Sequence, residues 1–498
     1  MRRTRRLILT AMIGALCLSG FVAHAEASDD RQQLLTSVHV HSTASTGELT
    51  IEALAERAEQ LGLDVLILTD NFSLRYEYGF WPLTGLLKRQ VRFPSVLEYG
   101  IDRYVEEIAE VQGRHPKLII LPGVEVAPYY YWTGSLVGRN LTMHNAQRNL
   151  LVLGLTKPED YRSLPVSGNP GSYTFDWRGA VNGAPILLFI PALLLWRQRR
   201  YASDRRSLRR SVSCVLIVLA VMLVANAWPL SQPAFSSYDD QLGYRPYQAL
   251  IDDVRGKGGL VFWSMTEARD FQEHAVWPLG TVTVKTEPHA EALLMTTGYT
   301  GFGGLYQDGR TNIKPGELWD RLLNLPTSQR SSPPVLIGEL AFHGLRDAGK
   351  DLHRLVTVLW VKERTVAGVL EALRSGQAYA VGEGDHHVQL RLDEFRVACQ
   401  AGAKSASIGD RLDPAGANDL TVQLSVTAND RGRHPVKVRV IRSGEVLAQF
   451  SGETPFRVDW PDTTASMDEP MTYRVEITGS GELLSNPIFV RGVMGDRS

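Results

Sequence analysis

His39 and His41 flank Val40 in the run S-V-H-V-H-S (residues 37–42). In an extended segment, residues two apart project to the same side. The two imidazoles can therefore converge on one point and grip a divalent ion. Glu125 follows a second apolar run, Leu118–Leu121, through Pro122-Gly123-Val124. A hard carboxylate oxygen beside two imidazoles suits zinc, manganese or iron. Taken singly, an H-x-H pair is most often two surface histidines and a loop glutamate is most often solvated. Together they point to a metal site.

The elements around these residues are built to position them. A turn at Thr46-Gly47 follows the histidines, and Thr50 can cap a helix whose Leu54, Ala55, Ala58 and Leu61 share one face. Gly62 suits the stop of that helix. Val65–Leu68 is apolar throughout, as a buried parallel strand is, and it ends in polar Thr69-Asp70-Asn71. The result is a β-α-β unit with polar groups at the strand ends, where α/β folds place their sites. Further along, helices are expected over Ser95–Gln112, Tyr247–Arg255 and Val366–Leu373. Strands are expected over Leu118–Leu121, Asn149–Leu155, Gly259–Trp263, Pro334–Glu339 and Gln377–Val381.

This opening resembles the polymerase and histidinol phosphatase (PHP) metal-dependent hydrolases, whose first motif reads like "HxH-T-x-S-D-G", a helix, then "TDH". The likeness runs over roughly Leu35–Arg491 with one large insertion and is strongest to the branch related to carbaryl hydrolase. It implies an α/β fold, a distorted (β/α)7-type barrel, and hydrolysis of a phosphoester or other ester by metal-activated water. At the matching positions it implies His39, His41, Glu125 and His343 as metal ligands, with Asp70 or His343 as proton acceptor. The chain departs from the motif at Thr46 and Ala341, where aspartate is usual, and at Asn71, Asn149 and Met265, where histidine is usual. An amide is a weak ligand, a thioether prefers soft copper, and alanine offers nothing. A catalytic zinc needs about three protein ligands and an open position, so His39, His41 and Glu125 could hold one ion at most. His144 or His274 could replace a missing ligand. The alternatives are a catalytically inactive relative that binds or scaffolds at the membrane, and a protein working mainly through its C-terminal strands.

Two long runs, Gly179–Trp196 and Val212–Leu230, are almost wholly apolar and near the ~20 residues that span a bilayer. The dense arginine cluster between them is what a hairpin dipping into the cytoplasm requires. Arg2, Arg3, Arg5 and Arg6, an apolar Leu7–Val22 and Ala23-His24-Ala25 form an export signal. The expected organisation is a signal peptide over 1–25, barrel segments over 33–178 and 231–387, and a transmembrane hairpin with a basic cytoplasmic loop over 179–230. From 388 to 494, short alternating strands suit an immunoglobulin-like β-sandwich, a surface for a protein partner. The location implied is the bacterial inner membrane, with the folded parts in the periplasm. Because the hairpin leaves from the site end of the strands, the site mouth is expected to face the membrane and take a small-molecule or lipid-linked ester. Asp385-His386-His387 is expected to be solvated, adjacent histidines pointing to opposite sides of a strand.

Composition agrees and adds limits. Apolar residues make up 44% and charged residues 21%, which is ordinary for a folded protein, and 498 residues are enough for more than one domain. A net charge of −1 gives no reason to expect nucleic acid. Three cysteines, two of them in hydrophobic runs, provide neither a disulfide framework nor a thiolate metal cluster.

Overall fold

The computed structural model describes residues 30–197, 203–307, 309–326, 332–346, 350–399, 404–414, 419–466 and 469–491. The export signal and the centre of the arginine-rich loop lie outside them.

The first strand, β1 (Gln32–Val40), pairs in parallel with β2 (Val65–Leu68). Between them runs α1 (Ile51–Gln60), whose buried face is Ile51, Leu54, Ala55 and Ala58. Thr50 caps it, its side chain accepting from the Ala53 amide, and Gly62 follows in the left-handed region that glycine adopts without strain. Thr50→Ala is expected to cost about 1 kcal/mol, read as a lowered urea midpoint. After β3 (Asp70–Asn71), β4 (Arg75–Gly79) and β5 (Lys88–Arg92) form a hairpin that the sequence pattern did not announce. The expected helix over Ser95–Gln112 is two, α2 (Val96–Tyr99) and α3 (Ile101–Arg114), divided where Gly100 takes a positive φ.

The remaining strands of the N-terminal part are β6 (Ile119–Leu121), β7 (Gly123–Val126), β8 (Tyr131–Thr133), β9 (Thr142–His144), β10 (Leu150–Leu153), β11 (Leu260–Trp263), β12 (Asp270–Val276), β13 (Gly280–Thr286), β14 (Gly301–Leu305) and β15 (Val335–Gly338). Pairing proceeds β1–β2–β6, then β3–β7–β10–β11–β14–β15. Just past β15 the chain returns to the start. Leu340 N–H donates to Val38 O, Phe342 N–H to His39 O, and His41 N–H to Phe342 O. Along these strands, side chains alternate between two apolar clusters. Val65, Ile67, Leu151, Leu153, Val335 and Ile337 gather on one side. Leu66, Leu68, Leu150, Val152 and Leu336 pack on the other side among the helices. Strands buried on both faces explain their uninterrupted apolar sequences. β10 runs antiparallel to both β7 and β11, a departure from the parallel pattern of its neighbours.

Two helices, α4 (Trp177–Arg197) and the second apolar helix α5 (Ser203–Ala227), are long and apolar enough to cross a membrane. They pack on each other, Ser213 Oγ donating to Ala192 O, and most of their apolar side chains face outward. The chain then re-enters the fold through α6 (Arg245–Gly256). After α7 (Leu318–Leu323) come β16 (Leu355–Val361), α8 (Val366–Ser375) and β17 (Ala378–Gly382), with β16 lying antiparallel on β1.

The C-terminal strands are β18 (Leu390–Cys399), β19 (Ser405–Ser407), β20 (Arg411–Leu412), β21 (Leu420–Ala428), β22 (Pro435–Arg442), β23 (Glu445–Glu453), β24 (Phe456–Asp462), β25 (Met471–Gly479), β26 (Glu482–Ser485) and β27 (Ile488–Val490). β18, β19, β21 and β24 make one four-stranded sheet. The others extend the β1 sheet, because β26 pairs with β17. His386 and His387 sit on a short 3-10 turn rather than a strand, both at positive φ, with His387 Nδ1 2.8 Å from Glu383.

Candidate metal centre

The two histidines converge, though not by simple strand alternation. Val38 lies in the inner cluster and Val40 in the outer one, whereas a regular strand puts residues two apart on the same side. The register of β1 against β2 slips between them, and His39 is left-handed with φ of 70°. This is a β-bulge, which re-aims side chains at functional strand ends. It brings the His39 and His41 rings to 5.1 Å between centroids.

Glu125, at the end of β7, closes the group. Its Oε1 is 3.1 Å from His39 Nε2 and its Oε2 is 3.7 Å from His41 Nε2. Ligand atoms of His39, His41 and Glu125 all lie within 4.8 Å of one another, and all three residues are buried. Yet neither imidazole Nε2 has an aligned hydrogen-bond partner. Buried polar atoms are rarely left so. Two unsatisfied nitrogens and a carboxylate around one point are the donor set a divalent ion completes, so the residues fit the ion that the resemblance implied.

Surrounding groups hold these three in place. Glu339, one residue past β15, accepts from Ser264 Oγ at 2.7 Å and from the Met265 amide at 2.7 Å. Its other contact is His39 Nδ1 at 3.0 Å, which fixes the ring so that Nε2 faces Glu125. Sequence reasoning placed Glu339 at a strand end but gave it no role; the strand-end rule applied to Glu125 would have found it. Asn71 and Asn149, standing where histidines were expected, both donate to Glu125, Asn149 at 2.6 Å. Each carboxylate oxygen of Glu125 thus accepts one amide N–H.

Asp70 is fully buried and accepts from the Ser42 amide at 2.7 Å, from Ser42 Oγ at 2.9 Å and from Ser45 Oγ at 2.6 Å. It braces the loop after His41 and does not line the cleft. His343 does line it, stacked on His41 at 4.2 Å with its Nδ1 3.0 Å from Thr46 Oγ1. The cleft has a volume of about 320 Å³, with Arg269, Gln272 and Gln147 on its outer wall. Met265 and Ala341 are also part of its wall, both at positive φ. His144 stacks on Tyr131 and bonds Thr133, and His274 bonds Gln272; neither joins the metal group among the described residues.

Burial opposes charge on His39, but Glu125 and Glu339 overcome it and raise its pKa from 6.5 to about 9. Burial likewise opposes ionisation of Glu125, and the histidines reverse it, lowering the pKa from 4.5 to about 2. His41 moves well below 6.5, burial being the main cause. The signs differ in consequence. The His39 contribution to stability is whole below pH 6.5 and is lost as pH rises through about 9, while that of Glu125 is whole above 4.5 and is lost as pH falls toward 2. An ion binding at His39 Nε2 must displace the proton held there. Uptake of Zn²⁺ or Mn²⁺ by metal-free protein is therefore expected to release about one proton and to strengthen about tenfold per pH unit between 6.5 and 9. Calorimetric titration in buffers of different ionisation enthalpy measures both.

The α/β chain thus carries a candidate metal group, His39, His41 and Glu125, at its strand ends. Residues 37–164 match the PHP domain family. No curated protein matches it. Among solved structures it is similar to a two-domain protein of Bacteroides vulgatus, described as containing an inferred PHP-like metal-dependent phosphoesterase. Identity there is 12%, over 92% of this chain and 96% of that one, with a TM-score of 0.36. A candidate metal-dependent phosphoesterase of Bifidobacterium adolescentis is 15% identical over 63% of this chain and 90% of its own, with a TM-score of 0.26. An amidohydrolase of Chromobacterium violaceum with bound sulfate is 15% identical over 63% and 88%, with a TM-score of 0.26.

Proposed function

We propose that this protein is a membrane-tethered hydrolase of phosphoesters or related esters, using a single divalent ion held by His39, His41 and Glu125. The observation that carries the reading is the pair of buried, unsatisfied imidazole nitrogens aimed with Glu125 at one point. When bound, the ion supplies a water acidic enough to attack an ester near neutral pH. Glu339 holds His39 in the required orientation, and the amides of Asn71 and Asn149 keep Glu125 in place. Of the two expected proton acceptors we assign His343, because it borders the cleft, whereas Asp70 is engaged by Ser42 and Ser45.

The circuit from β1 to β15 and back is read as the distorted seven-stranded barrel, and the strands after 388 as the β-sandwich. α4 and α5 are read as a hairpin in the bacterial inner membrane, with the rest in the periplasm after export. The likeness to carbaryl hydrolase rests on sequence motifs alone. A second reading, an inactive binding or scaffolding protein, is favoured by the amide N–H groups on both oxygens of Glu125.

Metal analysis with an assay on bis(p-nitrophenyl) phosphate separates the two. The enzymatic reading expects one ion per chain and hydrolysis that chelation and His39→Ala both abolish. Protein that stays metal-free after supplementation with zinc, manganese and iron would instead establish the inactive one.

A further inference from the structure

Three hairpins with roots at the cleft end together in apolar tips. Their cleft-side residues are Leu74 before β4, Gln147 after β9, and Asp270 and Thr286 on β12 and β13. At the other end, Tyr78, Phe80, Trp132, Leu136 and Val276 pack around Leu141, Leu279 and Val282, binding the three into one layer. Beyond this packing the outermost side chains are bare. Trp81 is 89% exposed, Val137 97% and Trp277 83%, with Leu86 and Leu87 beside them. Monomeric soluble proteins seldom leave so much large apolar surface gathered in one place.

The tips are also continuous with the apolar helices. The amides of Gly85 and Leu86 donate to Asn226 Oδ1 at 2.9 and 3.0 Å, one residue before α5 ends. Exposed Trp177 and Trp228 stand at the same end of the helix pair. Tryptophan collects at membrane–water interfaces because its ring is apolar and its N–H is wet. Charge agrees. Residues 80–89, 134–141 and 276–281 include Lys88, Arg89 and Arg139 but no aspartate or glutamate. Such loops are attracted to anionic headgroups and bring no carboxylate to desolvate.

We infer that the tips at Trp81, Val137 and Trp277 seat in the outer leaflet of the bilayer that holds α4 and α5, making the hairpin layer a stand between membrane and active site. The inference rests on the membrane reading of those helices. β12 runs seven residues from Asp270 at the cleft to Val276 at the tip, about 20 Å at 3.4 Å per residue. The scissile group is thus held about one strand length above the headgroups. A phospholipid's own phosphodiester lies too low to reach it. The substrate class that fits is an ester on a large headgroup or on a soluble molecule, not one at the glycerol backbone.

The test uses the full-length chain in phosphatidylethanolamine–phosphatidylglycerol vesicles, with Cys17 and Cys214 changed to serine. Nitroxide labels are placed singly by Trp81→Cys, Val137→Cys and Trp277→Cys, with Val218→Cys inside α5 and Glu371→Cys on α8 as references. Collisions with oxygen and with an aqueous nickel complex report depth. The expected result is loss of nickel access and gain of oxygen access at all three tips, at shallower depth than Val218→Cys. Three separate tips keep the test open if one variant misfolds. Tips open to nickel, with Val218→Cys deep, overturn the stand and leave the hairpin intact. Tips shielded from both reagents also overturn it, since a protein then covers them. An aqueous Val218→Cys overturns the membrane reading itself.

Discussion

Glu125→Ala is expected to take bound metal from one ion per chain toward none, and to lower phosphodiesterase activity by more than about 100-fold. Loss of a supporting residue alone commonly costs 10- to 100-fold in metal affinity or activity, and Glu125 is a direct ligand candidate. Its removal leaves two imidazoles, 5.1 Å apart between ring centroids, with no carboxylate facing their Nε2 atoms. The change also removes the acceptor of the Asn71 and Asn149 amides. Asn149→Ala is the comparison, because it deletes one donor to Glu125 while keeping all three ligands; it should weaken binding far less. Elemental analysis and calorimetric titration on the same preparations give the ranking. Equal metal content in Glu125→Ala and the parent protein would place the ion elsewhere.

The second large effect concerns Asp320, far from the site. Arg474 on β25 is 1% exposed and meets Asp320 on α7 through two hydrogen bonds of 2.7 Å, Nε to Oδ1 and Nη2 to Oδ2. Its guanidinium also lies over Trp319 at 4.9 Å and donates to Glu476 at 2.9 Å. Taking one partner from a buried pair costs about 3–5 kcal/mol when the charge left behind has no other partner; here Glu476 still pairs with Arg474, which puts the loss at the lower end. Asp320→Ala should therefore lower the urea midpoint of the whole chain in one transition. The double change Asp320→Leu with Arg474→Met removes the pair but leaves Glu476 to Arg439 alone, at 3.5 Å, so it should recover only part of the loss. Separate melting of the C-terminal strands in Asp320→Ala would show that they do not depend on α7. The contact adds to the sheet pairing that joins β26 to β17, since Arg474 pins β25 of the same sheet to α7.

Much of this architecture is local and therefore legible in the chain. The capped helix after Thr50, the apolar strands and their polar ends, the two apolar helices, and the alternating C-terminal runs each follow from side-chain periodicity over a few residues. The candidacy of His39, His41 and Glu125 is legible as well, because two imidazoles two residues apart and a carboxylate at a strand end form a metal donor set when taken together, though each alone is most often a surface group. The hairpins β4–β5 and β12–β13 are less legible because they are half exposed and their alternation is brief, Tyr76 with Tyr78 and Val282 with Val284, among mostly polar residues.

What brings the ligands together is not local. A regular strand would turn Val38 and Val40 to the same side. The bulge that separates them exists because β2 pairs with one part of β1 while Phe342, some 300 residues later, binds the backbone of His39 and His41. Glu339 reaches His39 by the same long return. Asn71 and Asn149 read in sequence as lost ligands; in the fold they are donors that occupy Glu125. Residue type determined which metal chemistry was available, whereas pairing between distant segments decided its geometry, because a hydrogen bond across hundreds of residues leaves no periodic trace in the sequence of either partner.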